Sequence, residues 1–186
     1  MEDDRDLVER LKRGERTAFD EMYRTHRERV WVFLYRLSRR RDVAEDLFQE
    51  TWLAAARNLT RLAPETRLLP WLYTIARHKH VSLHRSLLAD LRRRINFAAL
   101  PAPVVRRPDH EAVERQQSDR VAVAMASLPD DWREVLLLCL VEGMDTREVA
   151  EVLGLREDAV RKRLSRARTE LHARLAGGDD TRGRGP

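Results

Sequence analysis

Arg161, Ser165 and Arg168 recur at a spacing that places them on one face of an α-helix, with Lys162 and Arg166 on either side. Such a helix has a definite chemistry open to it. A major groove about 12 Å wide admits it, Arg can bond the guanine edge in bidentate fashion, and Lys or Arg can reach phosphates. Glu157 and Asp158 precede these residues and complement the positive end of the helix dipole; Glu157 could also accept from cytosine N4. A solvated basic face is the competing reading, and the residues just upstream argue against it. Thr146 to Leu153 makes a short helix with Val149, Ala150 and Leu153 on one side. Gly154 stands where the chain must turn sharply, and Ala150 is small where a second helix must cross. Val160 and Leu164 anchor that second helix, with Ala167 and Leu171 extending the stripe. This is the pattern of a helix-turn-helix, and it tips the reading toward duplex DNA.

Two further clusters could carry function. Asp46, Gln49, Glu50 and Arg57 lie off the apolar stripe of their helix. An acidic and amide strip repels DNA, so it suits a protein partner better, unless it is simply solvated. Arg77, His80, His84 and Arg85 can share a second face, with His78 and Lys79 beside it. His80 and His84, four residues apart, could share a metal, but no third ligand stands at suitable spacing, so no metal or cofactor is expected. Cys139 is the single cysteine and sits in the apolar run VLLLCLV, which excludes a disulfide framework and reads as core. No nucleophile–base constellation or phosphate loop is present, which leaves a helical hydrolase or metal enzyme without machinery.

The elements that must position these residues are all helical. A helix from Asp6 to Arg13 stops at Gly14, and Thr17 offers an N-cap to a second helix with Asp20 and Glu21 in its first turn. The stripe Phe19, Tyr23, Val30, Trp31, Leu34 and Leu37 carries that helix to about Arg39. Asp42 and Glu45 form a capping-box-like pair for a third helix striped by Val43, Leu47, Phe48, Trp52, Ala55 and Leu59. Thr60 to Leu69 reads as a loop, and Pro70 sits at the first position of a fourth helix. Pro101, Pro103 and Pro108 then interrupt any period, marking a linker over 94–109. Helical signal resumes from Glu111 to Leu128. Pro129 with Asp130 and Asp131 starts the next helix, closed by Gly143. The expected fold is all-α, with helical domains at 1–93 and 110–176 and a disordered tail over 177–186. Each helix is apolar on one side only, so the helices must bury those stripes against each other.

Charged residues make up 36% of the 186-residue chain, the net charge is +5 and the pI is near 9.9. That balance points to a polyanionic partner, nucleic acid before membrane. No apolar stretch approaches 18 residues and the start MEDDRDLVERL is charged, so the expectation is a cytoplasmic protein with no membrane insertion.

Here the residues carry a resemblance. DVAEDLFQETWLAAARN resembles region 2 of bacterial sigma factors of the extracytoplasmic-function type, and PWLYTIARHKHVSLHRS resembles the promoter-melting segment that follows it. LPDDWREVLLLCLVEGMDTREVAEVLGLREDAVRKRLSRARTEL is similar to their C-terminal domain. The likeness implies an initiation factor that binds core RNA polymerase and promoter DNA, with an anti-sigma factor as a possible further partner. It assigns Asp46, Gln49 and Glu50 to polymerase binding. It assigns Arg67, Arg77, His78, His80, His84 and Arg85 to the minus-10 element, the loop Arg61 to Leu69 capturing an unstacked base. Thr146, Arg147, Arg161, Lys162, Ser165, Arg166 and Arg168 fall to the minus-35 element. A linker of about 15 residues reaches up to about 50 Å, enough for two domains to touch sites more than one helical turn apart. The rival is an autonomous helix-turn-helix regulator, which would need a dimer for paired half-sites and leaves the acidic strip idle.

Overall fold

The computed structural model describes residues 2–95 and 116–177, and among them there is no strand. The elements are α1 (Glu2–Lys12), α2 (Arg16–Ser38), α3 (Arg41–Asn58), a 3-10 turn (Leu59–Arg61) and α4 (Leu68–Ile95). After the linker come α5 (Gln116–Ala126), α6 (Asp130–Leu136) with a π-helical turn (Leu137–Val141), α7 (Thr146–Leu153) and α8 (Glu157–Gly177).

The apolar stripes close on one another as the periodicity demands. Leu7, Val8 and Leu11 of α1 pack with Met22, Phe33 and Leu34 of α2, Leu47 and Ala55 of α3, and Leu72, Tyr73 and Ala76 of α4, all buried. Burying an aliphatic or aromatic side chain is worth about 1.5–3 kcal/mol, and these stripes are what such charge-rich helices have to hold them together. The aromatic members of the α2 and α3 stripes form a second layer in which Trp52 is buried and Phe19, Tyr23, Trp31 and Phe48 are half-buried. Tyr23 and Trp52 meet edge-on at 4.7 Å, and Trp31 meets Phe48 at 5.8 Å. In the C-terminal half, Val135, Leu136 and Leu138 pack with Val149, Val160 and Ala167. Both halves contribute to one continuous apolar cluster.

Several boundaries differ from expectation, the first being α1, which runs from Glu2 to Lys12 where Asp6 to Arg13 was expected. Thr17 is not an N-cap, because α2 starts at Arg16 and the Glu15 carboxylate just before it is held by Arg10 and Arg13, at 3.2 and 3.0 Å. Asp42 and Glu45 form no capping box, since α3 starts at Arg41 and the two carboxylates pair with Arg40 and Arg41. Pro70 lies in the first turn of α4, two residues after its start, where the backbone N–H it lacks has no helical partner to lose. Finally, α4 runs to Ile95, past the expected domain edge at 93. The remainder of the linker, the start of the Glu111 segment and nearly all of the tail lie outside the described residues.

The two halves are joined by polar side chains. Arg133, 2% exposed, sends its guanidinium to Leu37 O at the end of α2, to Met125 O, Ala126 O and Leu128 O around the α5–α6 turn, and to Asp130. Arg39, the one described non-glycine residue with positive φ (58°), caps α2 and donates to Ala126 O.

Candidate nucleic-acid interface

The helix-turn-helix is built as its residues require. Asp145 caps α7 by accepting from Glu148 N at 2.8 Å, and the Glu148 carboxylate accepts in return from Asp145 N at 3.0 Å. Gly154 ends the helix at φ 63°, a left-handed turn that costs glycine nothing. Val160 is fully buried against α7, with Ala150 and Leu164 nearly so. That packing aims the other face of α8 outward: Arg161, Lys162, Ser165, Arg166 and Arg168 are all exposed, as is Arg147 on α7. Glu157, its side chain 39% exposed, is partly engaged in this arrangement. One of its carboxylate oxygens accepts from Thr146 and pairs with Arg161, both at 2.8 Å, bracing the reading helix against α7.

The acidic strip is also on the surface. Asp46, Gln49, Glu50 and Arg57 are exposed along α3. Glu50 reaches across to Lys79 of α4 at 2.8 Å, a pairing that holds its carboxyl below the usual range.

The third group is presented only in part. His78, His84 and Arg85 are exposed on α4. Arg67 pairs with Glu148 of α7, and Arg77, with its side chain 20% exposed, pairs with nearly buried Glu134 of α6 at 3.1 Å. His80 departs from expectation outright. It is 3% exposed, its Nε2 has no hydrogen-bond partner, and its ring lies 4.5 Å from that of His84. Burial, then the neighbouring His84, drives its pKa down to about 4, so the imidazole is neutral near pH 7. Among the described residues no set of three or more His, Cys, Asp and Glu side chains is placed to hold a metal ion.

The sequence reading missed the residues that meet this group. Glu142 accepts from the Tyr73 hydroxyl and pairs with Arg29 at 2.9 Å, and burial with this bond raises the Tyr73 pKa. Glu134 lies buried, its carboxyl pushed up by burial and pulled back by Arg77. One signal was available: Arg133 and Glu134 interrupt the apolar run around WREVLLLCL, and charges inside a buried stripe demand partners. A cleft of about 270 Å³ remains between the halves, walled by Arg67, Trp71 and Thr74 on one side and Glu148, Glu151 and Val152 on the other.

Comparison with known proteins fits this division. Residues 22–88 match the Sigma-70 region 2 family and residues 118–171 match Sigma-70, region 4. The chain is 40% identical over 156 residues to a probable RNA polymerase sigma factor, RfaY, of Xanthomonas campestris, and 33% identical over 165 residues to the ECF RNA polymerase sigma factor SigE of Mycolicibacterium smegmatis. These matches take in 78% and 86% of the chain but only 38% and 62% of the relatives' own lengths. Among solved structures, CnrH in complex with the cytosolic domain of CnrY superposes with TM-score 0.70 at 27% identity, covering 95% of this chain and 98% of that one. RpoE from Bartonella quintana, in complex with the anti-sigma factor NepR, also reaches 0.70 at 23% identity, over 85% and 96% of the two chains. The RNA polymerase sigma factor CarQ of Myxococcus xanthus aligns at 32% identity over 90% of this chain and 95% of its own length. With both regions present in order and a relative of this length matched almost end to end, the chain belongs to the extracytoplasmic-function type of RNA polymerase sigma factors.

Proposed function

We propose that the chain is a dissociable transcription initiation factor. It binds core RNA polymerase through Asp46, Gln49 and Glu50 on α3, sets α8 against the minus-35 element, and uses α4 with the 61–69 loop at the minus-10 element to help open the duplex. Arg161 and Arg168 carry base readout in the major groove; Lys162 and Arg166 answer phosphates, with Thr146, Arg147 and Ser165 at the edge of the same surface. Arg67, Arg77, His78, His84 and Arg85 serve the minus-10 strand, where a base pulled from the stack is held by stacking and polar contacts. The factor has no catalytic residues of its own and works in the cytoplasm, where the polymerase is. Residues 1–93 and 110–176 act as the two working domains, and the linker lets them span the promoter.

The observation that carries this reading is the pairing of an exposed acidic strip on α3 with an exposed basic face on α8 in one basic chain. An autonomous regulator would use the second and leave the first without a role. An anti-sigma partner, as RpoE of Bartonella quintana has in NepR, would act by masking these faces.

Capture of purified bacterial core polymerase on the immobilised chain tests the polymerase half. Asp46→Lys with Gln49→Lys should weaken capture at least tenfold while leaving duplex binding by α8 intact. Undiminished capture would remove the strip from the account.

A further inference from the structure

Four exposed cations, Arg161, Lys162, Arg166 and Arg168, share the outward stretch of α8, and one of them is tethered. Lys162, Arg166 and Arg168 have no ion-pair partner among the described residues. Arg161 Nη2 lies 2.8 Å from Glu157 Oε1, and that same oxygen accepts at 2.8 Å from the hydroxyl of Thr146, the first residue of α7. The tether therefore crosses the helix-turn-helix from one helix to the other. Its anchor is firm, because the Asp145–Glu148 capping box fixes the start of α7 and Val149 is fully buried. Arg147 offers the contrast: its partner Glu151 is 3.7 Å away, and both of those side chains are largely exposed. Exposed ion pairs add little to stability. What a tethered pair changes is where the guanidinium points.

We propose that Thr146 and Glu157 are positioning residues for base readout: they hold the Arg161 guanidinium ready for one guanine, so that Arg161, ahead of Arg168, sets the sharpest base preference of α8. A free arginine loses rotamer freedom when it binds, and holding it beforehand removes part of that cost. Only Nη2 meets the carboxylate, so the guanidinium keeps donors enough to span guanine O6 and N7. A carboxylate beside it also repels phosphate, which keeps Arg161 off the DNA backbone that Lys162 and Arg166 answer. In this role Glu157 acts through Arg161 and touches no base. The inference rests on the minus-35 reading of α8 given above and names the residues that sharpen it.

The test combines the full-length chain with bacterial core polymerase and a promoter that it transcribes, the minus-35 element randomised and the transcribed templates sequenced. Wild type should prefer guanine at one position, and Arg161→Ala should erase that preference there and nowhere else. Thr146→Val, which keeps the shape and drops the hydroxyl, should lower the same preference at least fivefold. Thr146→Ser should bring it back to within about twofold of wild type. Glu157→Ala should lower it at least as far as Thr146→Val. Asp158→Ala, an equal loss of charge in the same turn of α8, should leave that position unchanged. An undiminished preference in Thr146→Val and Glu157→Ala would overturn the inference, as would an equal loss from Asp158→Ala. A loss spread evenly over every position, in these variants or in Arg161→Ala, would place Arg161 on phosphate and overturn it too. Each of these outcomes leaves the initiation reading standing. No transcript from any genomic promoter fragment with the wild-type chain would overturn that reading, and the inference with it.

Discussion

Two basic surfaces of this chain look alike in sequence and differ in the folded molecule. The α8 face keeps Arg161, Lys162, Ser165, Arg166 and Arg168 in solvent because Val160, Leu164 and Ala167 bury the opposite side. Around α4, Arg77 and the preceding Arg67 are paired and His80 is buried where α6 and α7 pack, while His78, His84 and Arg85 stay exposed. A helix-turn-helix presents its reading helix by local packing alone, whereas the availability of the α4 residues is set by where the other half of the chain sits. Periodicity sees the first and cannot see the second.

The strongest way to break the contrast is to remove Arg133, the side chain at the junction of the halves. Arg133→Met takes the guanidinium donor from Leu37 O and Leu128 O, while Met125 O keeps the Leu128 N–H. We expect a loss of about 1–3 kcal/mol for each buried carbonyl left unsatisfied, as read by urea unfolding. A loss below about 1 kcal/mol would show that the junction contributes little.

Acid should loosen the covered surface and spare the open one. The His80 pKa is driven from 6.5 to about 4 by burial and by His84, with Arg133 and Arg77 reinforcing and Asp130 opposing. Its neutral form is therefore favoured by folding. That contribution is complete above pH 6.5 and lost as pH falls toward 4, amounting to about 2–3 kcal/mol. Unfolding followed across this window should show the loss in wild type and a smaller one in His80→Gln, in excess of the shared acid response of the carboxylates.

At the open surface the effects should concern discrimination rather than stability. Arg161→Ala or Arg168→Ala should each cost about 1–3 kcal/mol between a cognate and a substituted minus-35 duplex if the contact is bidentate. A uniform loss over all duplexes would assign that residue to phosphate instead. The smallest effect belongs to the cap: Asp145→Ala removes the bond to Glu148 N and should lower stability by about 1 kcal/mol, measured by thermal unfolding with α8 still folded.

How much of this could be read from the sequence follows the same division. The bounds of α7, the turn at Gly154 and the stripe of α8 were legible, because each rests on contacts a few residues apart. The caps of α2 and α3 misled, since α2 starts ahead of Thr17, at Arg16, and the Asp42 and Glu45 carboxylates pair with Arg40 and Arg41. The π-helical turn at Leu137–Val141 left no mark in the apolar run VLLLCLV. The pairs Arg77–Glu134 and Arg29–Glu142 join residues 57 and 113 positions apart, and no local pattern announces a partner at that distance.

The measurement that bears most directly on the account mixes the purified chain with bacterial core RNA polymerase and a pool of genomic promoter fragments, then sequences the transcripts. The account predicts initiation at sites sharing two spaced motifs, abolished by Asp46→Lys with Gln49→Lys. Tight sequence-specific binding to DNA without polymerase, and no transcripts with it, would contradict the account and leave an autonomous regulator in its place.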